Sequence, residues 1–298
     1  MIYGQPITFG GSGNEVIVTA PTGSTVIATK DGKTRTAAEN NGVWTFKGLD
    51  AGTWTISATL GEMTTTKVVT FVDQQTTTLA YYAKNFADND WSDIIEACQI
   101  GNVPDTWVVG NSKPMVIGDT TYNIDIIGKN HDTYTDGGTA PLTFQLHELY
   151  ATTYPMNASD TNSGGYDSTN MHNTYLATIH SQMPSEVREA IKAVNKKTSA
   201  GSQSTAIETV VCGLFLLSEI EIFGSTTHSV SGEGSQYAYY SAGNSKIKKQ
   251  AGIALDWWER SPHKSTSTTF CWANTSGNPY FSNYGAKTQA GVSFAFCF

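Results

Sequence analysis

The sequence predicts two domains, an all-β sandwich over residues 15–82 and a larger α+β domain over residues 83–298. A chain of 298 residues is long enough for both. Only 15% of the residues are charged, and the abundant Gly, Ser, Thr and Asn favour strands and turns over solvated helices. Helical spacing of apolar residues first appears after residue 89. Residues 1–14 are Gly-rich and are expected to form a flexible or attachment arm.

Short apolar segments separated by turn residues predict the strands of the first domain. Residues 53–60 are the clearest case, because Trp54, Ile56 and Ala58 alternate with polar residues at the period of a half-buried strand. Asp31-Gly32 is a strong signal for a two-residue hairpin turn. The other predicted strands cover residues 16–18, 25–29, 43–46, 65–72 and 76–81. Short strands without helices predict a compact sandwich.

Helix signals alternate with strand signals in the second domain. Asn89 or Asp90 can cap a helix in which apolar residues follow at helical spacing, and Gly101 fits its end. Ser218 and Glu221 form a capping box before Gly224. Further helices are predicted around residues 171–179 and from Pro184 to an apolar face of Val187, Ala190, Ile191 and Val194. Strands are predicted at residues 107–109, 115–117 and 122–127, and a buried run at 210–217.

Charge and hydropathy argue against nucleic-acid and membrane partners. The net charge is −8, whereas phosphate binding needs clustered Lys and Arg. The one basic cluster, Lys246, Lys248 and Lys249, is interpreted as a solvated face. No apolar run approaches the roughly 20 residues of a spanning helix, and the first residues lack the features of a secretory signal. A chain without an export signal is expected either to stay in the cytosol or to leave the cell by lysis.

Catalytic, metal and cofactor motifs are not recognised in the sequence. The four cysteines form no CxxC pair and are expected to be free, buried thiols. The loop that includes Asp160 and Asn162 partly imitates a calcium loop, but Met171 stands where the bidentate Glu is required. Cys271 and Cys297 both lie in the C-terminal segment and could be neighbours across strands, but burial of Cys297 in the terminal apolar strand would make it inert. The sequence therefore predicts a non-enzymatic protein without cofactor or metal.

Two sets of motifs resemble known modules. Residues 52–56 with the strand 67–71 are similar to the immunoglobulin-like and carboxypeptidase-regulatory-like modules of phage particles and bacterial surface proteins. The second set is an ordered series of motifs at residues 126–131, 144–146, 156–157, 162–166, 214–224, 237–246, 257–262 and 291–298. This series closely resembles a domain of unknown function widespread in phage tail and virion proteins, and more distantly the formylglycine-generating-enzyme branch of the C-type lectin fold.

The resemblance implies an N-terminal immunoglobulin-like sandwich and a C-terminal C-type-lectin-like domain whose last segment contacts the ligand. Residues 263–290 combine aromatic residues with Asn, Ser and Gly, a composition typical of recognition loops. The expected ligand-binding face comprises Trp272, Asn274, Ser276, Asn278, Tyr280, Ser282, Asn283 and Tyr284. Trp257, Trp258 and Arg260 are expected to be scaffold, with Arg260 donating hydrogen bonds to backbone carbonyls.

Two functions follow from the resemblance. The first is a bacteriophage tail or fibre protein of the virion that binds a glycan or protein of the bacterial surface. The alternative is a capsid decoration or head-fibre protein without a dedicated ligand. In both, the N-terminal domain would attach to other virion proteins, and repeated assembly on a particle favours a homo-oligomer.

Overall fold

The computed structural model describes residues 2–4, 13–61, 63–72, 75–80, 82–281 and 285–298. The chain divides into two compact units, residues 1–89 and 90–298. This division lies seven residues beyond the predicted boundary between 82 and 83. Strands dominate both units and the helices are short.

The described residues of the first unit form nine strands in two sheets. They are β1 (Ile2–Gly4), β2 (Asn14–Thr19), β3 (Thr25–Lys30), β4 (Lys33–Thr36), β5 (Glu39–Asn40), β6 (Val43–Leu49), β7 (Gly52–Leu60), β8 (Met63–Phe71) and β9 (Thr76–Ala80). The sheet orders are β1-β9-β2-β6-β5 and β4-β3-β7-β8. A short 3-10 turn, Phe86–Asp88, ends the unit.

Both sheets of the first unit bury their apolar faces in one core. Val16 and Val18 of β2 belong to the same buried cluster as Trp54 and Ile56 of β7, so the unit is a β-sandwich. The predicted hairpin at Asp31 is confirmed, because Asp31 (φ 50°) and Gly32 (φ 73°) have the positive φ angles of a type I′ turn.

Residues 2–4 of the segment expected to be a flexible or attachment arm pair with a strand of the sandwich. These residues form β1 and pair with Thr77–Leu79 of β9. Pairing satisfies backbone groups that would otherwise need water. The other residues of the predicted arm, up to residue 12, lie outside the described part of the chain.

In the second unit, the part of the chain that the structure describes combines short helices with four small sheets. Its helices are α1 (Trp91–Gln99), α2 (Leu176–Ser181), α3 (Ser185–Ala190), α4 (Glu219–Phe223) and α5 (Ala238–Ser241), and a π-helical turn covers Met171–Tyr175. Its strands are β10 (Ser112–Ile117), β11 (Thr120–Lys129), β12 (Leu142–Leu146), β13 (Val194–Ser199), β14 (Ile207–Cys212), β15 (Lys249–Gln250), β16 (Ile253–Ala254), β17 (Trp257–Pro262), β18 (Phe270–Ala273), β19 (Pro279–Phe281) and β20 (Ala295–Cys297).

Two sheets of the second unit position the features described below. The larger has the order β10-β11-β12-β20, so the last strand pairs with a strand more than 140 residues earlier. Trp91 of α1 packs edge-on against Phe144 (6.0 Å between ring centroids) and Phe298 (6.2 Å). The smaller sheet, β17-β18-β19, together with the turn between β18 and β19 contains eight of the eleven predicted site residues. The predicted helices at Trp91 and at Ser218–Gly224 are confirmed.

Three local predictions for the second unit are wrong. Residues 107–109 form a turn region rather than a strand, with Trp107 buried in it. The helix after Pro184 ends at Ala190, and Val194 begins β13, because the pairing of Val194 with Cys212 supersedes the helical spacing. Lys248 is not on a solvated face; it is buried and donates to the carbonyls of Leu146 and His147.

Among the helices of the described residues, none is long and apolar enough to cross a membrane.

Candidate functional site

Strand β17 is the rigid base of the candidate site. All six of its residues are buried. The Trp257 indole Nε1 donates to the Lys246 carbonyl (3.0 Å), and the Trp258 Nε1 donates to the Tyr154 carbonyl (2.9 Å). Two buried tryptophans with satisfied N–H groups contribute a large apolar contact area in fixed positions.

Arg260 holds β17 to three other segments through its guanidinium group. It donates to the carbonyls of Lys197 (3.0 Å), Leu216 (2.9 Å) and Glu233 (2.7 Å). It also donates to both carboxylate oxygens of Glu221, with 2.8 Å for the Nη2 contact. The contacts to backbone carbonyls are those expected of a scaffold arginine, and the side chain has no exposed surface.

A buried chain of ion pairs continues from Arg260. Glu221 also contacts the Lys196 ammonium (2.7 Å), which in turn contacts Asp132 (2.6 Å). Burial alone would raise the pKa of Glu221, but Arg260 and Lys196 outweigh burial and lower it. Burial would also raise the pKa of Asp132, but the neighbouring Lys196 ammonium outweighs burial, so the pKa of Asp132 is lowered. Both carboxylates are therefore ionised at neutral pH, and the chain holds elements far apart in sequence.

Two further buried glutamates lie beside this chain in different surroundings. Glu233 accepts hydrogen bonds from the Ser199 backbone N–H (2.7 Å) and from the Ser261 hydroxyl. Burial raises its pKa to about 7. Glu259 has no exposed surface, and neither of its carboxyl oxygens has a hydrogen-bond partner among the described residues. Burial raises the pKa of Glu259 well above its ordinary value, which favours the neutral form of its carboxyl group.

A stack of three aromatic rings leads from β17 to the surface. The Trp258 and Trp272 rings lie 4.8 Å apart with 21° between their planes, and the Trp272 and Tyr280 rings lie 6.4 Å apart with 17°. Trp258 has no exposed surface and Trp272 is 3% exposed, whereas Tyr280 is 45% exposed. Cross-strand pairing of Trp258 with Trp272, and of Trp272 with Tyr280, sets this order.

The structure corrects the expected exposure of Trp272. Its ring lies between Trp258 and Tyr280, and the buried indole nitrogen has no hydrogen-bond partner among the described residues. Trp272 therefore supports Tyr280 from below instead of presenting its own surface. Large apolar rings are buried where neighbouring strands offer matching rings.

Asn274 organises the turn between β18 and β19. Its side-chain Oδ1 accepts from the backbone N–H groups of Ser276 (2.9 Å) and Asn278 (3.0 Å). Asn side chains commonly fix turns in this way. Asn274 is thus a turn residue, while Ser276 and Asn278 are exposed beside Tyr280. Ser282, Asn283 and Tyr284 lie outside the described residues, so this part of the predicted face has no structural description.

In the loop that partly imitates a calcium loop, the side chains of Asp160 and Asn162 contact other residues of the protein. The Asp160 carboxylate contacts the Lys287 ammonium (2.9 Å) and accepts from the Lys287 backbone N–H (3.1 Å). The buried Asn162 amide donates to the carbonyls of Thr266 (2.9 Å) and Thr269 (2.8 Å), and its Oδ1 accepts from the Ser202 N–H (2.8 Å). Within the described ranges, no group of three or more His, Cys, Asp or Glu side chains is placed to hold a metal ion.

The four cysteines are free and buried. Burial raises the pKa of the Cys98 and Cys212 thiols to about 12, and it raises the pKa values of Cys271 and Cys297 well above normal. A thiol with a raised pKa is a poor nucleophile at neutral pH.

The sequence analysis did not predict the ion pairs that join Asp132, Lys196 and Glu221. The available signal was the presence of charged residues inside apolar runs such as residues 214–223.

A family model described as a domain of unknown function, DUF6273, matches residues 142–297, just over half of the chain. The matched range begins at β12 and ends in β20, and it contains the ion-pair residues Lys196, Glu221 and Arg260 as well as the aromatic stack. No curated protein and no solved structure matches the chain.

Proposed function

Since the chain belongs to the DUF6273 family of domains of unknown function, we propose its function from its own site: the second unit binds carbohydrate of a bacterial cell surface through the face around Tyr280. In this proposal the protein is a non-enzymatic component of a bacteriophage virion, part of the tail or a fibre. The observation that carries the binding role is the ring stack from Trp258 through Trp272 to the exposed Tyr280.

The stack supports carbohydrate binding because it fixes an exposed ring before any ligand arrives. A tyrosine held from below by two buried indoles has little rotamer freedom left to lose on binding. Its face is apolar and its edge is polar, which matches the C–H and O–H groups of a sugar ring. Exposed Ser276 and Asn278 lie on the adjoining turn and supply adaptable hydrogen-bonding groups.

The finer fold assignments belong to the same proposal. The sandwich of the first unit supports an immunoglobulin-like module, and the second unit supports a C-type-lectin-like domain. In the second unit the strand β20 pairs with β12, and long loops surround the small sheet β17-β18-β19 that carries Tyr280.

In this proposal the first unit attaches the protein to other virion proteins. Its strand β8 lies at the edge of a sheet, and Val68 (55% exposed) and the following Val72 (78% exposed) present apolar surface.

Replacement of Tyr280 tests the binding role. We expect Tyr280→Ala to weaken binding to bacterial surface polysaccharides by about tenfold, because one ring contact contributes roughly 0.5–1.5 kcal/mol beyond buried area. Tyr280→Phe should keep most of the affinity because the ring remains. The measurement is binding of purified protein to an array of bacterial polysaccharides and to fixed bacteria.

Ile253→Ala is the matched control, because Ile253 is an exposed apolar residue of the same unit (66% exposed). It should bind like the unchanged protein. Equal binding by Tyr280→Ala and the unchanged protein would contradict the glycan-binding role. Failure of the unchanged protein to bind any polysaccharide or cell would favour the alternative, a decoration or head-fibre protein without a dedicated ligand.

A further inference from the structure

We propose that the Lys196 and Asp132 side chains become joined by an intramolecular amide bond, formed once per molecule after folding, with Glu221 as the residue that moves a proton. The product is a covalent cross-link between strand β13 and the loop that follows β11, 64 positions apart in the sequence. The inference concerns the buried ion pairs and does not depend on the carbohydrate-binding role.

The reacting groups are in contact and isolated from water. The Lys196 Nζ lies 2.6 Å from Asp132 Oδ1 and 2.7 Å from Glu221 Oε1. The side chains of all three residues are at most 3% exposed. A nucleophile and an electrophile held together by a fold react as though both were highly concentrated. The exclusion of water also protects the amide product from hydrolysis.

Aromatic rings enclose the Lys196 side chain. Its Nζ lies 4.4 Å from the centroid of the Phe215 ring and 5.3 Å from that of the Tyr237 ring, and neither ring has exposed surface. Separate charges are costly in apolar surroundings. Conversion of the ion pair into an uncharged amide and a water molecule removes this cost, so the enclosure favours the product.

Two hydroxyl groups hold the second oxygen of Asp132. The Thr143 hydroxyl donates to Oδ2 (2.5 Å), and the Tyr237 hydroxyl lies 2.8 Å from Oδ2 and 3.0 Å from Oδ1. Burial raises the pKa of Tyr237 well above its ordinary value, so this hydroxyl keeps its proton. Donors fixed at Oδ2 stabilise the negative charge that develops there when a nucleophile adds to the carboxyl carbon.

Close packing fixes the Tyr237 ring before the reaction. The ring stacks on His131 with 4.0 Å between the centroids and 27° between the planes. On the Gly128 side, a Cβ at that glycine would lie only 2.9 Å from Tyr237 Cδ1. The hydroxyl donor is therefore preorganised, which is the condition under which such donors stabilise a transition state most effectively.

The reaction balances without a cofactor or a co-reactant. The Lys196 ammonium gives one proton to Asp132 Oδ1, which produces an amine and a carboxylic acid. The Nζ lone pair then adds to Cγ to form the C–N bond, and Oδ2 takes the negative charge. Glu221 removes a second proton from the nitrogen and transfers it to Oδ1, which leaves as water when the Cγ–Oδ1 bond breaks.

The first proton transfer makes the reaction slow. Burial opposes the ionisation of Asp132 and Glu221, but the neighbouring cations outweigh burial and lower the pKa of both carboxyl groups. The ion pair is therefore the favoured state before the bond forms, and the uncharged acid and amine are a minor state. A reaction that occurs once per molecule tolerates a slow step, so we expect the cross-linked fraction to increase with time after synthesis.

Mass spectrometry of the intact, denatured protein tests the proposal. We expect the full-length protein to be lighter than its sequence by one water molecule. A proteolytic digest should contain a branched peptide in which the segment with Asp132 is joined to the segment with Lys196. Glu221→Gln should keep the full mass, because an amide cannot carry the proton from nitrogen to oxygen. Glu233→Gln is the matched control at a buried glutamate that pairs with Ser199 and Ser261, and it should lose the water.

The mass of the unchanged protein decides whether the bond exists. The full sequence mass in protein stored for days after purification would overturn the cross-link. Loss of water confined to a linear peptide would also overturn it, because that result indicates a cyclic imide at one aspartate. Loss of water in Glu221→Gln would overturn the role of Glu221 and leave the bond in place. Near-ultraviolet circular dichroism establishes that a variant with the full mass is folded.

Discussion

Buried carboxyl groups outnumber buried cations around β17, and this imbalance determines which of the carboxyl groups are ionised. Lys196 and Arg260 are the cations within the cluster of described residues that also contains Asp132, Glu219, Glu221, Glu233 and Glu259. A desolvated charge without a partner is costly, so the group that lacks compensation takes up a proton instead. Asp132 and Glu221 have ion-pair partners and stay ionised, whereas Glu259 has no such partner among the described residues and its raised pKa favours the neutral form.

Glu233 gives this cluster a measurable pH dependence. Its pKa rises from 4.5 in a model compound to about 7 in the fold. Its contribution to stability is therefore complete below about pH 4.5 and is lost as the pH rises through about 7. We expect Glu233→Gln to remove up to roughly 3 kcal/mol of this pH-dependent change in the free energy of unfolding.

Urea unfolding followed by tryptophan fluorescence between pH 4.5 and 8 measures the effect. Exposed Glu186 provides the control, because Glu186→Gln should keep the pH profile of the unchanged protein. Parallel profiles for Glu233→Gln and the unchanged protein would show that Glu233 does not hold the proton.

At the scale of elements, the side chain of the buried Asn162 connects three loops of the second unit by hydrogen bonds. Its amide joins the loop around residue 162 to residues 266–269 and to Ser202. The approach is close: a Cβ at Gly201 would lie 1.8 Å from the Asn162 carbonyl oxygen, and Gly201 has a φ of 73°. The Thr268 carbonyl in turn accepts from the Ala286 N–H, so the same loops support the segment that follows β19.

We expect Asn162→Ala to destabilise the second unit by roughly 2–4 kcal/mol, because it removes three hydrogen bonds that join these loops, each contributing about 0.5–1.5 kcal/mol. Amide hydrogen exchange should increase in residues 200–202 and 266–269 before it increases in β10–β12. Asn278→Ala, at an exposed position, is the control and should change stability little. Unchanged exchange in both loops would contradict the role of Asn162 as their common tie.

Elements with a complete local signal could be predicted from sequence, and those decided by distant partners could not. The hairpin at Asp31-Gly32, the helix from Trp91 and the helix from Ser218 each have their turn or cap residues within a few positions. Val194 fits a helical pattern equally well, but its pairing with Cys212 places it in a strand. Burial of Trp272 depends on Trp258 and Tyr280 together, and no single segment encodes that arrangement.

At the scale of the whole molecule, the two units divide the proposed work between attachment and recognition. The candidate contact face lies entirely within residues 90–298, and the strands of the sandwich all lie within residues 1–89. Composition predicted the β-rich class because strands and turns tolerate the scarcity of charged residues. Composition did not predict the ion-pair cluster, because its members are distant in sequence and few in number.

Deletion of residues 1–89 tests this division. We expect the remaining chain to keep Tyr280-dependent binding to polysaccharide and to be absent from purified particles, as measured by immunoblotting after complementation of a phage that lacks the gene. Full-length Tyr280→Ala is the converse control and should be incorporated normally. Incorporation of the shortened chain at the normal level would contradict attachment through the first unit.

The shielding of all four thiols has a consequence for a protein that would work outside the cell. Each sulfur is buried, and none is cross-linked. Oxidants act chiefly on accessible thiolates, so air and an oxidising medium would leave these side chains unmodified. The stability of the fold in such surroundings would come from close packing and from the ion pairs around β17, and not from disulfide bonds. Under the proposed virion role, the same molecule would suit both a reducing compartment during synthesis and an aerated environment afterwards.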